Sequence, residues 1–293
     1  MNTPLRSMLS VARALSLCSL LVGLVSCVRP ATLPPSGSVS LSAIPLEDVK
    51  GSGKLLMSLT DGLHPVISTD VKRPTRPDEP IFLLIHGFKS AGYEWVYTAH
   101  TASQLGAVYL YRWDWERCPS EASRALSEQL TALAQRSPKA SIIAIGHSYG
   151  GLILSRALTQ YHASAPLEAH VVAAPLAGHP SLSARCGEDA TGGARPSQGH
   201  VKLIQWRTRR DLDGAFQGLD FDPQQSDAPH LSVELAGRYR GARLGHNWSI
   251  SAVIDRLKAC PQPFADDRHM CFKQRGASEG DPSDSAGPSS AKE

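Results

Sequence analysis

The feature that most constrains the fold is an alternation of short apolar runs with longer amphipathic stretches. The first run, residues 81–86 (IFLLIH), is bounded by Pro80 and Gly87 and is typical of a strand buried on both faces. Strands are predicted at 81–86, 108–113, 142–145, 170–174, 202–206 and 238–244, and helices at 92–105, 120–135, 152–161 and 249–258. This order predicts an α/β fold, with a mostly parallel central sheet and helices on both faces.

Composition narrows the functional classes. The chain has 293 residues, of which 42% are hydrophobic and 19% charged, and these values are ordinary for a globular protein. The formal net charge is only +3, and no basic stripe with interleaved aromatic residues is present. Because nucleic-acid binding needs such a basic surface, we expect no nucleic-acid partner.

The N-terminal segment predicts export. Arg6 and Arg13 precede an uncharged apolar run at 14–25, which as a helix would reach only about 18 Å. That length suits a signal peptide over residues 1–26 and not a transmembrane helix. The run ends in Leu24-Val25-Ser26-Cys27, which resembles the lipobox of bacterial lipoproteins. An ordinary signal peptide followed by a chance cysteine is the alternative.

The lipobox resemblance implies cleavage before Cys27, lipidation of its thiol, and anchoring in the membrane of the cell envelope. Val28 stands where an aspartate would retain the protein in the inner membrane, so the outer membrane is expected if the source is Gram-negative. Residues 27–50, rich in Pro and Ser, are predicted to be the lipidated cysteine and a flexible tether. The folded domain is assigned to residues 51–262, and a largely disordered, cysteine-containing tail to residues 263–293.

Four cysteines remain beyond the lipobox, an even number in an oxidising compartment. They allow three pairings, of which we favour Cys260–Cys271 and Cys118–Cys186. Metal binding by these cysteines is the competing interpretation, but no C-x₂-C spacing is present. We therefore predict no metal site.

The sequence Gly146-His147-Ser148-Tyr149-Gly150 matches the pattern G-x-S-x-G. A predicted strand leads into it and a predicted helix follows, which is the setting of a nucleophile elbow with Ser148 as nucleophile. The two glycines leave room for neighbouring backbone that a Cβ would block. We expect His147 to be a packing residue.

Together with His86-Gly87-Phe88 after the first strand, this motif makes residues 81–258 resemble an α/β-hydrolase of the esterase and lipase kind. The resemblance implies an oxyanion hole formed by the backbone N–H groups of Phe88 and Tyr149. His86 itself is expected to be structural.

The resemblance also implies the order serine, acid, histidine along the chain. His246 lies directly before the last predicted helix and is the expected base, with His230 as the rival. The acid should follow the strand near 201–208, where Asp213 is preferred because Gly214 permits a turn, and Asp211 is the alternative. Residues 176–202 could cover the cleft or form a plain surface insertion, and both interpretations stay open.

These residues predict a hydrolase that cleaves a small-molecule or lipid carboxylic ester through an acyl-enzyme. A thioesterase, an amidase or an acyltransferase could use the same three residues. An inactive envelope-binding protein of the same fold is a further alternative. We find no H-E-x-x-H, P-loop or G-x-G-x-x-G pattern and expect no cofactor.

Overall fold

A mostly parallel β-sheet lies at the centre of the protein, which confirms the predicted fold class. The computed structural model describes residues 37–68, 76–260, 263 and 270–272. Within them the sheet consists of β1 (Val39–Ser40), β2 (Gly62–Ile67), β3 (Ile81–Ile85), β4 (Ala107–Arg112), β5 (Ile142–His147), β6 (Leu167–Val172), β7 (Val201–Arg207) and β8 (Leu231–Glu234). Their spatial order is β1-β2-β4-β3-β5-β6-β7-β8, and all neighbours run parallel except β2 and β4.

Helices cover both faces of this sheet. They are α1 (Val49–Met57), α2 (Tyr93–Ser103), α3 (Pro119–Arg136), α4 (Tyr149–Ala157), α5 (Pro180–Cys186) and α6 (Trp248–Ala259). Helices α1, α2 and α6 pack together, while α3 packs against α4. In β3, Leu83 and Ile85 belong to the apolar cluster that includes α3 and α4, whereas Phe82 and Leu84 belong to the cluster that includes α2 and α6. Both faces of β3 are therefore buried, which explains its continuous apolar sequence.

Two parts of the sheet differ from the prediction. The segment predicted as one strand at 238–244 is a tight hairpin of β9 (Arg238–Tyr239) and β10 (Ala242–Arg243). Arg240 and Gly241 form its turn with φ of 50° and 79°, values that suit a two-residue hairpin turn. Strands β1, β2 and β8 were not predicted. Pro65 interrupts the strand pattern of β2, so the sequence does not indicate a strand there. The strand tolerates a proline because it lies near the edge of the sheet, with only the two-residue β1 on its outer side.

The tether predicted at 27–50 is too long. Val39, Leu41 and Ile44 are buried, β1 pairs with β2, and α1 begins at Val49. The folded body thus includes the chain from residue 39, because these three side chains complete the apolar core beside α1. The predicted signal peptide at 1–26 and the lipidated Cys27 lie outside the described residues. No helix within the described ranges has both the length and the hydropathy to cross a bilayer.

Both favoured disulfides, Cys118–Cys186 and Cys260–Cys271, are confirmed. The second one joins the end of α6 to the helical turn at 270–272, whose Phe272 is buried with its ring 5.0 Å from that of Trp206. Phe272 of the predicted tail therefore packs on the body. Residues 273–293 lie outside the described part of the chain.

The Phe272 ring should contribute strongly to stability. We expect Phe272→Ala to lower the free energy of unfolding by about 3–5 kcal/mol, because it empties a packed site against Trp206. Met270→Ala, in the same turn but with an exposed side chain, should change it by less than about 0.5 kcal/mol. Urea unfolding measures both values. Equal effects of the two variants would contradict the packing of this turn on the body.

Candidate active site

The turn between β5 and α4 presents Ser148 in a strained conformation. Its φ of 53° and ψ of −123° are uncommon for any residue with a Cβ. Such backbone strain costs about 1–3 kcal/mol and is found mainly where a side chain must be held in a functional position. The carboxyl end of a parallel strand is also where α/β folds build their sites.

Glycines on three sides make this turn possible. A Cβ on Gly146 would lie 2.7 Å from the carbonyl oxygen of Gly150, and a Cβ on Gly150 would collide with that of His86. A Cβ on Gly87 would lie 3.0 Å from the Cβ of Ser148. Backbone from the turn after β3 therefore approaches the serine closely, and only glycine allows this approach.

His86 orients the turn that carries Phe88. It is fully buried, its Nδ1 donates to the carbonyl of Gly87 at 3.0 Å, and its Nε2 accepts from the amide of Trp113 at 3.3 Å. Burial lowers the pKa of His86 to about 3, so the ring is neutral. Because a trans peptide is planar, holding the Gly87 carbonyl points the Phe88 N–H the opposite way. His86 is therefore a structural residue, as expected.

Tyr149 begins α4, so its backbone N–H lies at the positive end of a helix dipole. Within the described residues, neither this amide nor that of Phe88 donates a hydrogen bond to another protein group. Phe88 and Ser148 line the same cavity. Two free amide donors beside a serine form an arrangement that can hold a developing oxyanion.

His246 and Asp213 form a close pair. Nδ1 of His246 donates to Oδ2 of Asp213 at 3.0 Å and lies 2.9 Å from the other carboxylate oxygen, Oδ1. Asp213 has no exposed surface, whereas the His246 side chain is 18% exposed. With Nδ1 engaged, only Nε2 of His246 is left for proton transfer.

Asp213 is stabilised as a carboxylate despite its burial. Burial alone raises its pKa, but hydrogen bonds from His246 and the hydroxyl of Thr208, together with one from the amide of Ala215 at 2.9 Å, outweigh this effect. The pKa of Asp213 is consequently below its usual value, and the group stays charged at neutral pH.

Aromatic rings hold His246 in place. Its ring centroid lies 4.5 Å from that of His147 and 5.1 Å from that of the buried Phe216, which meets it edge-on. Nε2 of His147 donates to the backbone carbonyl of His246 at 3.1 Å, and Ser249 donates to the same oxygen. His147 is buried, as predicted, and burial keeps its pKa well below the usual value.

The competing residues lie elsewhere. Asp211 is exposed and pairs with Arg209 at 3.1 Å. Nδ1 of His230 accepts from the amide of Leu203 in β7 at 3.0 Å, and His230 is not among the residues that line the cavity beside Ser148. The structure thus brings Asp213, and not Asp211, to His246.

A cavity of about 180 Å³ lies beside the nucleophile candidate Ser148 and the base candidate His246. Ser148 and His246 line it together with the turn after β3, the start of α2, His147 and Asn247. The segment 176–202 reaches this region, because Arg185 of α5 lies over the rings of Phe88 and Tyr149, 5.3 and 5.8 Å from their centroids. Within the described residues, no group of three His, Cys, Asp or Glu side chains could hold a metal ion.

A family model described as the alpha/beta hydrolase family matches residues 82–286. The chain belongs to this family. The match spans the turn after β3, the Ser148 turn, Asp213 and His246, so the whole cavity lies inside the hydrolase domain.

Several solved structures are similar to this chain at low sequence identity. The hydrolase is similar to the mature form of lipase BlEst2 from Bacillus licheniformis at 11% identity, with a TM-score of 0.50, over 69% of this chain and 98% of that one. It is also similar to Est1E from Butyrivibrio proteoclasticus, at 12% identity, TM-score 0.43, and coverage of 63% and 87%. YbtT, a type II thioesterase from the yersiniabactin pathway, is similar at 12% identity with a TM-score of 0.44, over 72% of this chain and 99% of that one. No curated protein matches this sequence.

Sequence reasoning missed several residues around the cavity. Thr208 supports Asp213, Arg185 reaches the Phe88 and Tyr149 rings, and Glu94 lines the cavity. None of them belongs to a short motif, and each arrives from an element distant in sequence from Ser148. Two signals pointed to α5: residues 176–202 could cover the cleft, and the favoured Cys118–Cys186 pairing ties α5 to the start of α3.

The buried His86 predicts how stability changes with pH. A histidine with a lowered pKa binds fewer protons in the folded than in the unfolded chain, so its contribution is lost as pH falls. We expect the free energy of unfolding to decrease from pH about 6.5 to about 3, with His86 accounting for about 5 kcal/mol of the decrease. His86→Gln should be less stable at neutral pH and show a shallower decrease. An unchanged slope in urea unfolding across this range would contradict the neutral, buried state of His86.

Proposed function

We propose that this hydrolase cleaves carboxylic esters through a catalytic triad of Ser148, His246 and Asp213. The observation that carries the proposal is the cavity in which the strained Ser148 turn meets a histidine already bonded to a buried carboxylate. These three groups supply a nucleophile, a base and an orienting acid in family order.

In the acylation step, Nε2 of His246 removes the hydroxyl proton of Ser148, and Oγ attacks the ester carbonyl carbon. Asp213 keeps the other ring nitrogen protonated and stabilises the imidazolium that forms. The free amides of Phe88 and Tyr149 hold the negative oxygen of the tetrahedral intermediate, which is worth about 3–4 kcal/mol per donor.

Collapse of this intermediate breaks the bond to the alcohol, which leaves with the proton from His246. Water then enters, His246 removes one of its protons, and hydroxide attacks the acyl-enzyme. Breakdown of the second tetrahedral intermediate returns the proton to Ser148 and releases the carboxylic acid. Of the groups used, Ser148, His246 and Phe88 line the cavity, while Asp213 acts through its hydrogen bond with His246.

We propose further that Cys27 carries a lipid and anchors the hydrolase to the envelope membrane, the outer one in a Gram-negative cell. The Leu24-Val25-Ser26-Cys27 sequence supports this anchor. Mass spectrometry of the N-terminal peptide from membranes should show an acylated Cys27, and Cys27→Ala should shift the protein to the soluble fraction. An unmodified peptide that begins elsewhere would reject the anchor and leave the triad unaffected.

Labelling with a fluorophosphonate probe tests the triad. Wild type should react covalently, and Ser148→Ala should not react. Asp213→Asn should slow labelling by a factor on the order of 10³ or more, because it removes the charge that orients and stabilises His246. Asp211→Asn is the matched control and should label within about twofold of wild type, since this side chain is exposed and paired with Arg209.

Folding is checked for every variant by circular dichroism. A folded wild type that does not react would reject catalysis and favour an envelope-binding protein. Labelling that is equally slow in the two aspartate variants would reject the assigned acid. Turnover of a thioester or an amide with no turnover of the matched ester would replace the proposed substrate class while the triad stands.

A further inference from the structure

A buried carboxyl group without a full set of partners borders the cavity that contains Ser148. It belongs to Glu94, in the first turn of α2, and the residue is only 7% exposed. Glu94 lines the same cavity as Ser148 and His246. The proposed triad makes no use of it.

The two carboxyl oxygens of Glu94 differ in their surroundings. Oε1 accepts a hydrogen bond from the hydroxyl of Ser90, which in turn accepts from the amide of Gly92 at 3.2 Å. Oε2 is buried and has no hydrogen-bond partner within the described part of the chain. One side of the carboxyl is thus fixed by the turn after β3, and the other is buried with no donor among the described protein groups.

Nearby cations do not satisfy this oxygen. Lys89 also lines the cavity, but its ammonium lies over the ring of Phe88, 5.1 Å from the centroid. No ion pair joins Lys89 to Glu94 in the described ranges. The imidazole of His246 is engaged by Asp213.

The position of Glu94 is rigid. Its neighbours in α2, Trp95 and Val96, have no exposed surface. Backbone of α1 also supports the turn, because a Cβ on Gly53 would collide with the amide of Tyr93. The backbone that carries the carboxyl is therefore held in place from both sides of the helix start.

A buried acceptor without a donor is unfavourable, and more so if it is charged. A first-turn acid can interact with the helix dipole from an exposed position, so the dipole does not explain why Glu94 is buried. Burial leaves Oε2 of Glu94 without a hydrogen bond, and a donor group on a bound molecule would supply one. A bare hydrocarbon chain could not supply one.

From this arrangement we propose that Glu94 selects the substrate. The ester cleaved at Ser148 carries an ammonium or hydroxyl group within a few bonds of the scissile carbonyl, and this group donates to Oε2 of Glu94. The inference rests on the proposed function and specifies its substrate class as small and polar, in contrast to a long acyl chain.

Three nearly isosteric esters test the inference. They are the para-nitrophenyl esters of propionate, glycolate and glycine, which end in methyl, hydroxyl and ammonium groups, respectively. Each kcat/KM is divided by the rate of spontaneous hydrolysis, which corrects for intrinsic reactivity. Propyl, hydroxyethyl and aminoethyl acetates repeat the comparison on the alcohol side of the ester.

Wild type should prefer a hydroxyl or ammonium end over methyl by about tenfold or more on one side of the ester, the effect of a hydrogen bond to a charged group. Glu94→Leu, which is of similar size and apolar, should remove or reverse this preference. Glu94→Gln should reduce the preference for ammonium more than that for hydroxyl. Glu128→Gln, at an exposed position on α3, is the matched control and should keep the wild-type ratios.

The outcomes separate the two proposals. Equal corrected rates for the three ends on both sides of the ester, in an enzyme whose Ser148 labels with fluorophosphonate, would overturn the role of Glu94 and leave the triad intact. A preference that survives in Glu94→Leu would overturn it as well. Failure of wild type to label or to cleave any ester would overturn both. The wild-type ratios alone can contradict the inference, so the test remains decisive even if a Glu94 variant fails to fold.

Discussion

The close approach of three backbone segments at Ser148 is the constraint on which the rest of the site depends. Gly146 and Gly150 let the turn fold back on itself, and Gly87 lets the turn after β3 reach the serine. The strain at Ser148 is offset by the packing of β5 and α4, whose apolar side chains are almost all buried. A side chain at Gly87 or Gly150 would collide across the gap between the turn after β3 and the Ser148 turn, and would push the Phe88 amide away from the nucleophile.

Two buried, neutral histidines connect this turn to its neighbours. His86 holds the Gly87 carbonyl, and His147 holds the backbone of His246. Each uses its ring as a rigid spacer between loops that are far apart in sequence. Because burial lowers the pKa of both rings, they stay uncharged while His246, partly exposed beside Asp213, remains available for proton transfer.

Much of the fold could be predicted because its signals are local. The continuous apolar run of β3 and the G-x-S-x-G pattern each lie within six residues, and both predicted their structures. Strand β2 was missed because Pro65 breaks its pattern, and its place near the sheet edge depends on β1 and β4. The ordered segment from residue 39 has the Pro and Ser content of a tether, and its composition alone does not reveal that three of its apolar residues are buried.

In the candidate site too, residues chosen by tertiary contacts were harder to predict than residues in local motifs. Asp213 and Asp211 could not be separated by sequence, since the choice depends on Thr208, Ala215 and His246 converging on one carboxylate. Glu94 carries no motif, and only the tertiary structure shows that it is buried against the cavity with one oxygen free.

The acyl-enzyme is the species that tests the central claim most directly. The protein is mixed with para-nitrophenyl acetate, quenched in acid within the first turnovers, and digested for mass spectrometry. We predict an acetyl group on Ser148 that disappears as the ester is consumed, with no such adduct in Ser148→Ala. Ester turnover that continues in Ser148→Ala, or an acetyl group that forms only on another residue, would contradict the account.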